Sequence, residues 1–174
     1  MLSGARTSLR ISSLCVIAWL VIFCPVVFAQ EGLSHGKVGL SASLQGGQFE
    51  ILVPVWVSNQ MVVSPFIRVL YAQDVATDLG IGLGQRFNLR SGSVIPYLGV
   101  RASALILLPK DGSSVTDWVF GMTVGNECFL NEHLSLSAEA QFNFSVSSDE
   151  SMRFGNPGGT NLNSATAVMA TAYF

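Results

Sequence analysis

At 174 residues the chain is long enough for one domain with a sizeable core. Only 11% of its residues are charged, 49% are hydrophobic and the formal net charge is −2, which excludes the basic footprint of a nucleic-acid binder. A low charge fraction with a mean hydropathy of +0.48 points to a secreted or membrane protein rather than a cytosolic enzyme.

The first segment reads as a targeting signal. Arg6 and Arg10 supply a basic start, Ile11 to Phe28 an apolar stretch broken by Ser12, Ser13 and Pro25, and Val27-Phe28-Ala29 a cleavage site. Residues 1–29 are expected to be a cleaved signal peptide, leaving residues 30–174 as one domain. Cys128 is then the one remaining cysteine, which makes no internal disulfide and is expected as a small lipid-facing residue. No later stretch has the roughly 18 apolar residues of a membrane helix. In a membrane, this remainder would have to cross as strands closed into a barrel, because closure satisfies every backbone group in lipid.

After a polar lead containing His35, alternation of apolar and polar residues predicts eight strands. The first is Lys37 to Leu44, turned by Gly46-Gly47 into a second at Phe49 to Val57. Ser58 to Gln60 turn the chain into a third, Met61 to Tyr71. A three-residue turn there pairs Val53 with Pro65, Ile51 with Ile67 and Glu50 with Arg68, which separates Pro54 from Pro65 and matches the two faces. Gln73 to Thr77 form a loop before the fourth strand, Asp78 to Asn88, whose inward Gly80, Gly82 and Gly84 leave lumen space for long side chains from elsewhere.

The fifth strand is Val94 to Leu108, and Pro109 to Thr116 a polar loop around Lys110-Asp111-Gly112. The sixth is Asp117 to Phe129. The seventh, Leu134 to Val146, is the clearest: Leu134, Leu136, Ala138, Ala140, Phe142, Phe144 and Val146 alternate without a break against Ser135, Ser137, Glu139, Gln141, Asn143 and Ser145. Its length suits a tilted membrane crossing of about 9 to 11 residues better than an ordinary strand. Ser147 to Asn163 is the longest loop, and Ser164 to Phe174 the eighth strand.

Inward parity gathers Glu50, Arg68, Arg86, Arg101, Glu127 and Glu139, with Asp78 and Asp117 near the loop ends. Charges of both signs at similar depth are expected to pair and brace the lumen, for example Arg101 with Glu139. Trp56, Tyr71, Trp118, Phe129 and Tyr173 lie near strand ends where aromatic girdles are expected, although the parity of Trp56 turns it inward. Asp111-Gly112 and Asp149-Glu150 lack the ligand spacing of a calcium loop, and no metal or cofactor is expected.

The strand plan, the signal segment and the ending Ala170-Thr171-Ala172-Tyr173-Phe174 resemble the small eight-stranded outer-membrane β-barrel family. That resemblance implies an all-β, eight-stranded antiparallel up-and-down transmembrane barrel, with short periplasmic turns and longer outer loops. It further implies Tyr173 and Phe174 as a signal read by the barrel-assembly machinery, and outer-membrane lipid as the surroundings. His133-Leu134-Ser135 with Glu139 is similar to the His-x-Ser and Glu set of outer-membrane lipid A deacylases. His133, however, falls in a predicted periplasmic turn while Ser135 and Glu139 point inward, so no catalytic residue is expected. The expected function is a non-enzymatic barrel with a structural or surface-interaction role, its outer loops meeting an extracellular ligand. A narrow channel for small solutes is the alternative, and a soluble lipocalin-like carrier of an apolar ligand a third reading.

Overall fold

The computed structural model describes residues 36–46, 48–72, 76–109 and 113–174. The expected signal peptide at 1–29, His35, and residues 73–75 and 110–112 of two expected loops lie outside the described residues, as does the side chain of Tyr71. The strands are β1 (Gly39–Gln45), β2 (Gln48–Leu52), β3 (Val55–Trp56), β4 (Met61–Ala72), β5 (Ala76–Asn88), β6 (Val94–Pro109), β7 (Val115–Phe129), β8 (Leu134–Val146) and β9 (Thr160–Tyr173). From β4 to β9 each strand pairs antiparallel with the next, and β9 returns to β1. Both β2 and β3 pair with β4, so they occupy one place in the wall of a closed, eight-position barrel.

The barrel is inside out relative to a water-soluble core. On β8 the outward Phe142 and Phe144 are 55% and 45% exposed, while the inward Gln141 and Ser145 are 2% and 0% exposed. Outward Ile67, Ile81, Leu83, Leu98, Val100, Phe120 and Met122 form an apolar exterior around a polar lumen. This facing is the reverse of a carrier that keeps an apolar ligand in its centre.

The register expected between the second and third strands is present, with Glu50 opposite Arg68 and Ile51 opposite Ile67. Val53 N donates to Pro65 O at 2.9 Å. The second strand itself is not continuous, as expected from Phe49 to Val57, but breaks at Val53-Pro54 into β2 and β3. Pro54 has no N–H to give the ladder. Its carbonyl still accepts from Gly39 N at 2.8 Å, and pairing resumes where Val38 bridges Val55.

Other boundaries move by a few residues. β1 begins at Gly39 rather than Lys37, β5 at Ala76 rather than Asp78, and β7 at Val115 rather than Asp117. The last strand starts at Thr160, four positions before the expected Ser164, because Asn161 and Asn163 face the lumen and pair with Ser145 and Asn143. Cys128 sits on the outer face opposite Leu136. It is disulfide-bonded in the uncleaved chain, whereas the lone-thiol expectation concerns the chain after cleavage.

Candidate functional site

The side chains of the lumen form layers between two ends, a turn end where Ser58–Gln60, Leu89–Ser93 and Leu130–His133 connect strands, and a loop end. Trp56, Val62, Ile95, Phe129 and Tyr173 close the turn end as one buried apolar cluster. The Phe129 and Tyr173 rings lie 5.6 Å apart, and Trp56 meets Tyr173 edge-on at 6.4 Å. Phe129 and Tyr173 therefore do not belong to an outer girdle as expected. Their parity follows Glu127 and Thr171, which face the lumen, and alternation overrides their place near strand ends. Trp118 does face outward, at 52% exposure, and so does Phe174 at 75%.

Above this plug, Glu127 is fully buried and is met by three side chains. Arg86 forms an ion pair with it. The Tyr173 hydroxyl donates to it at 2.8 Å and Ser135 Oγ at 2.6 Å, while Arg86 also donates to the Tyr173 hydroxyl at 3.0 Å. The Arg86 guanidinium lies 5.1 Å from the centre of the Tyr97 ring. Tyr97 in turn donates to Glu139 at 3.1 Å, and Gln141 reaches the same carboxylate at 2.8 Å.

The next layer is built on Glu50, 1% exposed, which Arg101 holds through Nη2 at 3.0 and 3.1 Å. Arg68 lies 3.6 Å from Glu50 and donates to Gln48 at 2.6 Å. The expected pairing of Arg101 with Glu139 is corrected: Glu50 faces Arg101 across the lumen, and Arg101 also rests on the Phe66 ring at 4.4 Å. Glu139 is met by Tyr97 and Gln141 instead. The small residues of β5 and β7 make this crowding possible. A Cβ at Gly80 would come within 3.1 Å of Arg68 Nε, and one at Gly121 within 2.9 Å of Arg101 Cγ.

At the loop end, the segment Ser147–Gly159 folds into the mouth rather than standing clear of it. Arg153 forms ion pairs with Asp78 and, at 3.0 Å, with Asp117. Ser148 N and Ser151 Oγ donate to Asp117 as well, at 3.0 and 2.7 Å. Burial by itself would lower the pKa of Arg153, and the two carboxylates more than offset it, so the guanidinium stays charged above its ordinary range. Below this latch a cavity of about 240 Å³ reaches down to Glu50, Arg68 and Arg101. A smaller one of about 50 Å³ lies beyond the Glu50–Arg101 pair, towards Arg86 and Glu139.

Arg153, Tyr97 and the inward Tyr173 were missing from the charge set read along the sequence. A loop has no period to orient its side chains, but one signal was available for Arg153. Asp78 and Asp117 both have inward parity at the same end, so a cation has to meet them, and Arg153 is the cation of the longest loop at that end. The residues His133, Ser135 and Glu139 do not converge. The His133 ring contacts Tyr173 O at 3.1 Å, Ser135 is engaged with Glu127, and Glu139 with Tyr97.

No protein-family model matches the chain, and no curated protein matches it in sequence. Its structure is similar to the N-terminal β-barrel domain of OprF from Pseudomonas aeruginosa, with a TM-score of 0.55 at 8% identity over 82% of this chain and 100% of that one. It is also similar to Neisserial surface protein A, with a TM-score of 0.54 at 16% identity over 80% of this chain and 94% of that one. At these identities the likeness is one of fold, and the fold is the small eight-stranded barrel that the sequence resembles.

Proposed function

We propose that residues 30–174 form an outer-membrane barrel, exported by a signal peptide at 1–29, that acts without catalysis as a structural and surface-interacting protein of the envelope. The apolar exterior supports placement in lipid, since an eight-stranded barrel whose outward Leu, Ile, Val, Phe and Met residues stand 38% to 79% exposed would aggregate in water. Tyr173 and Phe174 serve as the assembly signal in this reading, one ring turned in and one out.

The observation that carries a non-conducting role is the plug. Trp56, Val62, Ile95, Phe129 and Tyr173 are each 6% exposed or less and fill the turn end from wall to wall. Above them, the charged layers Arg86–Glu127 and Arg101–Glu50–Arg68 cross the lumen as braces. An eight-stranded interior is just wide enough for side chains to fill it. Planar-bilayer recording of the purified full chain tests this reading. The expected result is no unitary conductance above the bare bilayer, and steady conducting events would return the narrow-channel alternative.

A further inference from the structure

The wall of the barrel is not equally tall all the way round. β1 and β2 end at the pair Gln45–Gln48, and Gln45 also faces Ala167 on β9. β9 nevertheless continues from Thr166 to Thr160 beside β8 alone. On the other side β4 leaves its last β2 partner at Arg68 and runs on through Ala72 beside β5 alone. Among the described residues no strand pairs with either of these two edges. Neighbouring strands lie roughly 4.8 Å apart, so a place where two of them stop short leaves a gap about 14 Å wide. Strand tilt absorbs part of the offset, and what remains is a notch at the loop end.

Two chemistries meet at that notch. Its outer rim is apolar, with Leu44 62%, Phe49 47%, Val69 52% and Leu162 79% exposed. Directly behind it lies the 240 Å³ cavity, lined at the notch by Gln45, Gln48, Arg68 and Asn163. Three polar atoms of that cavity, Gln45 Oε1, Asn143 Oδ1 and Arg153 Nη2, are buried without a protein hydrogen-bond partner. Buried polar atoms of this kind are met by water or by a ligand. Arg153 is matched by Asp78 and Asp117, but Arg68 and Arg101 share the single carboxylate of Glu50, which leaves one guanidinium charge in the cavity for a negative group.

We propose that the notch is a lateral portal through which an anionic single-chain amphiphile enters from the lipid phase. Its head group lies among Arg68, Gln45 and Gln48, and its chain leaves over Leu162 and Val69. This rests on the membrane placement proposed above. The test uses the full chain in phosphatidylcholine vesicles, with labelled dodecanoate as the probe and protein-free vesicles as the baseline. One saturable site per chain is expected, shared with dodecyl phosphate, while dodecanol, which lacks the charge, and acetate, which lacks the chain, bind at least about tenfold more weakly.

Asn163→Trp, which fills the cavity behind the notch, and Arg68→Gln are each expected to weaken dodecanoate about tenfold. Asn163 makes only a 3.4 Å hydrogen bond with Asn143, so its variant should keep the fold even if the other does not. Should both fail to fold, the comparison of probes on the wild type still decides. Acetate binding as well as dodecanoate, or dodecanoate uptake that does not saturate or ignores both substitutions, would overturn the portal. A heat-dependent gel shift in the wild type reports the barrel separately, so loss of the barrel reading and loss of the portal are distinguishable.

Discussion

The two ends of the lumen are closed by different means. At the turn end, five large side chains pack against one another and the carboxylate above them is saturated: Glu127 is held by Arg86, Tyr173 and Ser135. At the loop end, one arginine from a connecting segment reaches two aspartates, and a cavity lies beneath it. The turn end is closed by strands, whose registers fix each side chain. The loop end is closed by a segment that can part from the wall without breaking a ladder bond. The turn end is thus the more tightly built of the two ends of one small barrel.

The contrast can be broken most severely at Glu127. Glu127→Ala strands the Arg86 guanidinium in a buried layer and is expected to cost about 3 to 5 kcal/mol, read from denaturant unfolding of the vesicle-bound barrel. An effect near zero would mean that water already reaches this layer. Next comes Gly125→Ala, whose new Cβ would lie 2.6 Å from the Tyr97 hydroxyl and force that ring off Glu139. Overpacking of this kind costs about 1 to 3 kcal/mol in the same measurement.

At the other end Arg153→Ala should be milder, about 1.5 to 3 kcal/mol at most, because Ser148 N and Ser151 Oγ still serve Asp117. Amide exchange should quicken over Ser148–Arg153 and stay unchanged in β7 and β8 near Glu127. Equal acceleration at both ends would erase the distinction between them. The smallest effect is expected at Gln85, which faces outward and donates only to Met61 Sδ at 3.1 Å. Gln85→Leu should shift stability by no more than about 0.5 kcal/mol.

Alternation makes the walls legible in the sequence alone. β8 spans Leu134–Val146 as its period of two predicts, and the choice of a three-residue turn placed Glu50 opposite Arg68. What alternation does not carry is which inward charge meets which across the lumen. That depends on barrel shear, and it seats Arg101 on Glu50 rather than Glu139. Polar strand ends are also hard to read. Thr160–Asn163 looks like loop because both of its lumen-facing residues are asparagines, and Arg153 sits where no period exists. Phe129 was readable, since it shares parity with Glu127, but its place at a strand end suggested an outer girdle instead.

The most direct measurement is fractionation of the producing cell, followed by gel mobility of the extracted protein with and without boiling in detergent. A closed barrel with an apolar exterior predicts recovery in the outer membrane and a band that shifts on boiling. Recovery in the soluble fraction with no shift would contradict it, and with it the inward-polar, outward-apolar facing on which the account is built.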